Sequence, residues 1–263
     1  MSQQKERKPF QRKKLMLQLL TVAAVALAIA IGISIFFKVD TVSVSGLEKY
    51  SYDTIREAAG IQEGDSLLFF SRAEVSSRIM QKLPYIKAVR IGITLPGTVN
   101  IVVEEVMVAY AIQDQTENWW LISAEGVVLE QTDGAAAQEH TAISGVLLKS
   151  PEVGAQVQAA PDSNASETVT ASDRLSTALQ VLQAMEKNEL LGEFTQVDVT
   201  DLYDLQIWHG KDYQFTLGDH TQLELKLALV RAYLPKILAD YPAGRLDVSE
   251  PENSEGSPFI KFD

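Results

Sequence analysis

The 263-residue sequence contains no cysteine. That absence removes disulfide frameworks, thiol nucleophiles, iron–sulfur clusters and thiolate-bound zinc together. Histidine is scarce: His140, His209 and His220 are the only three, and no two stand four apart, the spacing that puts two imidazoles on one helical face. The sequence also lacks a P-loop, a GxGxxG fingerprint and a nucleophile elbow. Glu104 and Glu105 are neighbours on a predicted strand, so their carboxylates point to opposite faces and cannot work as a pair. Asp198, Asp201 and Asp204 can gather around one loop, as acids often do in an acidic chain. The expectation is a protein without catalytic residues, metal or cofactor. The alternative is a membrane-anchored cell-wall hydrolase or transferase built on those aspartates and the histidines.

Positive charge is short everywhere except at the start. Residues 1–14 hold Lys5, Arg7, Lys8, Arg12, Lys13 and Lys14 against Glu6, a local +5 within a formal net charge of −12. Residues 15–37 carry no charge, so residues 38–263 hold −17. The single basic run is too short and too far from the rest to suggest nucleic-acid binding. The charge-free run from Leu15 to Phe37 is 23 residues long. As a helix it extends about 34 Å, enough for a hydrocarbon core of about 30 Å. Ala28-Ile29-Ala30 fits a signal-peptidase pattern, but the apolar run continues to Phe37 and exceeds an ordinary signal-peptide core. The reading is therefore a cytoplasmic basic tail (1–14) and an uncleaved transmembrane helix (15–37), oriented by the positive-inside rule with residues 38–263 outside the membrane.

Beyond the anchor, Val39–Gly46 alternates as a half-buried strand, and Ser51 caps a short helix with Ile55, Ala58 and Ala59 on its apolar face, stopped by Gly60. Ser71 and Glu74 form a capping box ahead of Val75, Ile79 and Leu83. Strands over Ile86–Leu95 and Val99–Val108 follow, joined at Pro96-Gly97, with Gly92 a natural place for a bulge. This β-α-α-β-β order makes a two-layer module. Phe37–Leu47, Leu83-Pro84-Tyr85-Ile86-Lys87-Ala88-Val89-Arg90 and Leu95-Pro96-Gly97-Thr98-Val99-Asn100-Ile101-Val102-Val103-Glu104-Glu105 together resemble the POTRA signature of the bacterial cell-division family FtsQ/DivIB. Glu105–Ala109 lacks the Arg and Pro that commonly follow in that family.

The second half keeps the resemblance in Trp119–Leu129 and Ile143-Ser144-Gly145-Val146. Residues 155–171 contain no aromatic, Leu or Ile and read as a flexible insertion. A helix capped by Ser172 or Asp173 carries Leu175, Leu179, Leu182 and Met185 on one face. Strands are expected at Thr195–Val199, Leu205–Trp208 and Tyr213–Leu217, then a helix from Thr221 that Pro235 disturbs, then strands at Arg245–Ser249 and Pro258–Phe262. The fold class is α+β: one transmembrane helix, a POTRA domain at 38–108, and a larger mixed β-sheet domain at 109–263.

A sheet that ends with the chain offers an open edge to an added strand. The resemblance implies that use: the terminal strand receives a short strand from the coiled-coil partner FtsB (DivIC), assembled with FtsL, in a non-catalytic scaffold linked to septal cell-wall synthesis. By position, the partner-binding residues it implies are Pro258, Phe259, Ile260, Lys261 and Phe262, with Asp247, Val248 and Ser249 on the preceding strand. The POTRA module, with its own edge strand, is implied to face other division proteins near the membrane.

Overall fold

The computed structural model describes residues 9–67, 70–161 and 169–251. The chain divides into two compact units, one of Met1–Ile79 with Ala88–Glu104, the other of Met80–Lys87 with Glu105–Asp263.

The first unit opens with helix α1, Pro9–Phe36. Its segment Lys14–Phe36 is long and apolar enough to cross a membrane and is exposed throughout. The helix starts six residues before the charge-free run, so it includes the end of the expected basic tail. Strand β1 (Thr41–Ser45) follows, then α2 (Tyr52–Ala59), α3 (Arg72–Lys82), β2 (Ile86–Thr94) and β3 (Thr98–Glu105). The local signals do their work: the Thr54 amide donates to Ser51 Oγ at 3.2 Å, and Gly60 closes α2 at φ 63°, its N–H donating to the Arg56 and Glu57 carbonyls. The Glu74 amide donates to Ser71 Oγ at 3.3 Å ahead of α3. The sheet order is β1-β3-β2, with β1 parallel to β3 and Val42 and Val44 level with Val99 and Ile101. Ile55, Ala58, Val75 and Ile79 from the helices and Val42, Val99, Ile101 and Val103 from the sheet are all buried. Strand β2 runs unbroken through Gly92.

The second unit is an eight-stranded mixed sheet in the order β11-β10-β9-β8-β7-β4-β5-β6. In chain order its elements are β4 (Tyr110–Gln113), β5 (Trp119–Ile122), β6 (Val128–Thr132), α4 (Gly134–Ala137), β7 (Thr141–Ser144), α5 (Ala171–Lys187), β8 (Gln196–Asp198), β9 (Leu205–His209), β10 (Tyr213–Gly218), α6 (Leu223–Asp240) and β11 (Gly244–Asp247). The core joins Ile112, Ile122, Ile143, Val197, Ile207 and Phe215 from the sheet with Leu175, Leu182, Met185, Leu227 and Val230 from α5 and α6. Phe194 meets Phe215 edge to face at 5.6 Å.

Three sequence expectations are corrected here. Helix α5 is capped by Thr170, two residues before Ser172 and three before Asp173, because Asp173 serves as the reciprocal partner: its amide donates to Thr170 Oγ1 and its carboxylate accepts from the Thr170 amide. Pro235 sits inside α6, which continues to Asp240. The proline lies on the exposed side, where water can satisfy the carbonyl left without its helical donor. Residues 155–161 of the expected flexible insertion are paired rather than loose, the Val157 amide donating to Gly126 O and the Ala160 amide to Leu147 O, both at 2.8 Å. Backbone pairing needs no large side chain, so composition missed it. Residues 162–168 of that segment, and the expected strand Pro258–Phe262, lie outside the described residues.

Candidate functional site

Strand β11 stands at one edge of the eight-stranded sheet, and among the described residues no strand lies beyond it. It runs parallel to β10, with Arg245 level with Gln214 and Asp247 level with Thr216. The Gly244 amide donates to Asp212 O and the Val248 amide to Thr216 O, both at 2.9 Å. Parallel strands alternate their bonding sides, so the backbone groups of Arg245 and Asp247 are directed away from β10, toward the edge. Arg245 Nε donates to Thr216 Oγ1 at 2.8 Å, which holds the strand in register. Next to it, Gln214 Nε2 donates to Gln206 Oε1 and Gln206 Nε2 to Asp204 Oδ2, forming an amide ladder across β10 and β9.

The expected partner-binding residues divide accordingly. Asp247 is exposed at the end of β11, and its Oδ1 accepts the Ser249 amide at 2.9 Å. Val248 is 1% exposed and its N–H is committed to β10, so it serves the core and is corrected from the contact set. Ser249 packs against Gly218, where an added Cβ would come within 2.7 Å of the serine Cβ. Pro258, Phe259, Ile260, Lys261 and Phe262 lie outside the described residues. Arg245 was not singled out from sequence; alternation in Gly244–Asp247 carried the signal, but the parallel register to β10 was needed to use it.

The residues of the alternative, enzymatic reading do not converge on a catalytic arrangement. Asp198 accepts the Thr200 amide and Asp201 the Tyr203 amide, each at 2.9 Å, and Asp204 joins the amide ladder. These are turn-forming bonds of the kind short carboxylates make. His209 Nδ1 lies against the Glu193 carbonyl, and His220 is exposed. Among the described residues no three His, Asp or Glu side chains are grouped to hold a metal. Glu104 is exposed and Glu105 buried, on opposite faces as strand geometry requires.

Two carboxylates instead organise the second unit's loops. Asp114 receives the Thr116 amide and hydroxyl at 2.7 Å, the Asn118 amide at 3.0 Å and Trp120 Nε1 at 2.9 Å. Burial pushes its carboxyl up, but the bonds from Thr116, Trp120 and Asn118 outweigh it and hold the group well below the usual carboxylate range. Asp219 Oδ1 receives the Thr221 amide and hydroxyl and the ammonium of Lys226, a side chain only 1% exposed.

Residues 37–106 match the family model described as the POTRA domain, FtsQ-type. The chain is 26% identical over 215 residues to the cell division protein DivIB of Clostridium acetobutylicum, covering 81% of this chain and 80% of that protein. It is 22% identical over 226 residues to DivIB of Clostridium botulinum, covering 86% and 82%, and 21% identical over 192 residues to DivIB of Clostridium tetani, covering 73% and 68%. An apolar N-terminal helix, a POTRA domain and a larger β-sheet unit define the class: a POTRA-bearing protein of mixed α and β structure. Within that class residues 37–106 are a POTRA domain of the FtsQ type, and the chain is similar over most of its length to DivIB cell division proteins, which supports a role in cell division.

Proposed function

We propose that this protein is a non-catalytic scaffold of the division septum, held in the cell membrane by a single helix with its N-terminus in the cytoplasm and residues 38–263 outside. It binds the coiled-coil division proteins FtsL and FtsB/DivIC and links them to septal cell-wall synthesis. The domain boundaries we propose are a basic tail at 1–14, the anchor at 15–37, the POTRA domain at 38–108 and the β domain at 109–263, with other division proteins meeting the POTRA domain. The observation that carries the reading is the placement of β11 at the edge of the large sheet among the described residues, with the Arg245 backbone groups directed outward. Addition of a strand there uses backbone bonds for affinity and alternate side chains for selectivity. Confinement to one membrane raises the local concentration of similarly anchored partners, so a modest strand contact suffices.

The test is co-purification of the full-length chain, in detergent, with the FtsL and FtsB/DivIC pair. We compare the wild type with a chain ending at Ser257, with Arg245→Pro and with Arg245→Ala. Proline at 245 removes an outward N–H and leaves the bonds to β10 in place, while alanine controls for the lost guanidinium. The complex is expected to be lost with Arg245→Pro and kept with Arg245→Ala, and loss with the truncation as well extends the contact to residues 258–262. Retention of the complex by an Arg245→Pro chain with native circular dichroism overturns the sheet-edge reading.

A further inference from the structure

We propose that the tip of the β2–β3 hairpin, led by the side chain of Leu95, rests in the lipid surface where α1 leaves the membrane. The proposal builds on the single-pass reading above. Leu95 is 60% exposed, more than any other large apolar side chain of the first unit outside α1 among the described residues. One exposed leucine is ordinary on a protein surface. Its place in the fold is what gives it a partner.

Strand β1 begins four residues after Phe37, and it runs parallel to β3 with Thr41 level with Thr98. Both strands therefore run away from the anchor, and the turn that precedes β3 lies at the level where β1 starts. The contact is direct: the Asp40 and Thr41 amides both donate to the Gly97 carbonyl, at 2.8 and 3.2 Å. The turn is pressed so closely on this stretch that a Cβ at Gly97 would fall 2.2 Å from Asp40 Oδ2 and 2.8 Å from the Lys38 carbonyl.

The connection to the helix leaves no slack. The Phe37 amide donates to Ile33 O at 3.0 Å, continuing the helical ladder, and the Phe37 carbonyl accepts the Leu67 amide at 3.0 Å. The Val39 amide donates to Asp65 O and the Gly64 amide to Val39 O, both at 2.8 Å. Three peptide steps from Phe37 to Asp40 span at most about 11 Å. The headgroup layer on each side of the hydrocarbon is about 5–7 Å thick. A hairpin tip bonded to Asp40 and Thr41 thus lies no more than about 11 Å beyond the last residue of the anchor, in or just outside the headgroup layer, which puts the exposed Leu95 side chain within reach of the lipid surface. Lys38, exposed beside the tip, can hold its ammonium among anionic headgroups, while the carboxylate of Asp40 is turned toward Gly97. A second point of contact stops the POTRA domain rocking about its anchor and presents its edges at a set height above the bilayer.

Because the sequence has no cysteine, single cysteines can be introduced into the full-length protein without removing any. Nitroxide labels are placed through Leu95→Cys, Ser45→Cys and Ala28→Cys, each in protein reconstituted into vesicles of phosphatidylcholine and phosphatidylglycerol. Ser45 is an exposed residue at the far end of β1, about 13 Å beyond Thr41. Collision with oxygen, which concentrates in hydrocarbon, is compared with collision with a water-soluble nickel chelate. Oxygen is expected to dominate at positions 28 and 95 and nickel at 45. If position 95 behaves like 45 while 28 favours oxygen, the hairpin proposal falls and the anchor stands. If 28 favours nickel, the anchor reading itself fails. Broadening between labels at 95 that grows with the protein-to-lipid ratio shows a second copy over the tip and also overturns the proposal.

Discussion

Lys226 offers the sharpest test of the forces inside the second unit. It is an ammonium only 1% exposed in the first turn of α6, a helix end that disfavours positive charge. Two acceptors compensate it: the Asp219 carbonyl at 2.9 Å and Asp219 Oδ1 at 3.0 Å. Asp219→Asn removes the charge facing that ammonium. A hydrogen bond to a charged group contributes about 1.5–3 kcal/mol, and the Asp219 side chain is 44% exposed, so water replaces part of it. The expected loss is about 1–2 kcal/mol. Asp219→Ala also frees the Thr221 amide and hydroxyl and costs about 3 kcal/mol in all. At about 2–4 °C per kcal/mol for a chain of this size, the alanine variant should melt about 6–12 °C lower. In a Lys226→Met background, where the buried charge is gone, Asp219→Asn should cost less than about 0.5 kcal/mol, so that a double-mutant cycle isolates the pair. Hydrogen bonds from Thr221 and Lys226 draw the Asp219 carboxyl from 3.8 down to about 2. A carboxyl whose folded-state pKa is depressed stabilises fully above its unfolded value, and this contribution disappears as pH falls from about 3.8 through about 2. The gap between wild type and Asp219→Asn should close over that window. The assay is thermal unfolding of the full-length protein in detergent, followed by tryptophan fluorescence. Equal cost of Asp219→Asn with and without Lys226 would refute the reasoning.

Further expectations can be checked on the same instrument. Gly145→Ala puts a methyl 2.3 Å from the Thr200 amide nitrogen at a residue with φ +92°, so it should cost at least about 3 kcal/mol; a melting temperature within 2 °C of wild type contradicts the close approach of β7 and β8. Tyr110→Phe removes a buried hydroxyl with no hydrogen-bond partner among the described residues, and it should be neutral or stabilising by up to about 1 kcal/mol; a loss above that would reveal a partner for the hydroxyl. Asp114→Asn turns a donor toward Trp120 Nε1 or Asn118 Nδ2 and should lower stability by about 2 kcal/mol at neutral pH. Because the folded-state Asp114 carboxyl is depressed below 3.8, that difference should shrink only as acid carries pH below 3.8, and a constant difference down to the lowest pH would argue against the bonding assigned to it.

Much of the architecture was legible from one-dimensional pattern because the forces behind it are local. The length and apolarity of Leu15–Phe37 report whether a helix can cross hydrocarbon, and Ser51, Gly60 and Ser71 act on amides and carbonyls within one turn. Alternation along Val42, Val44, Val99, Ile101 and Val103 marks the buried face of the first sheet without knowledge of its strand order. The order β1-β3-β2, the eight-strand order and the parallel pairing of β10 with β11 depend on contacts far apart in the chain, which no local signal encodes. Tertiary structure alone decided that Val248 belongs to the core while Arg245 lies at the edge, that Ala155–Ala160 pairs despite its weak composition, and that a lysine in the first turn of a helix is buried on an aspartate. Local propensity sets which segments can become helices and strands. Which strand is left at an edge, and which turn lies beside the end of α1, follows from how the whole chain buries its apolar surface.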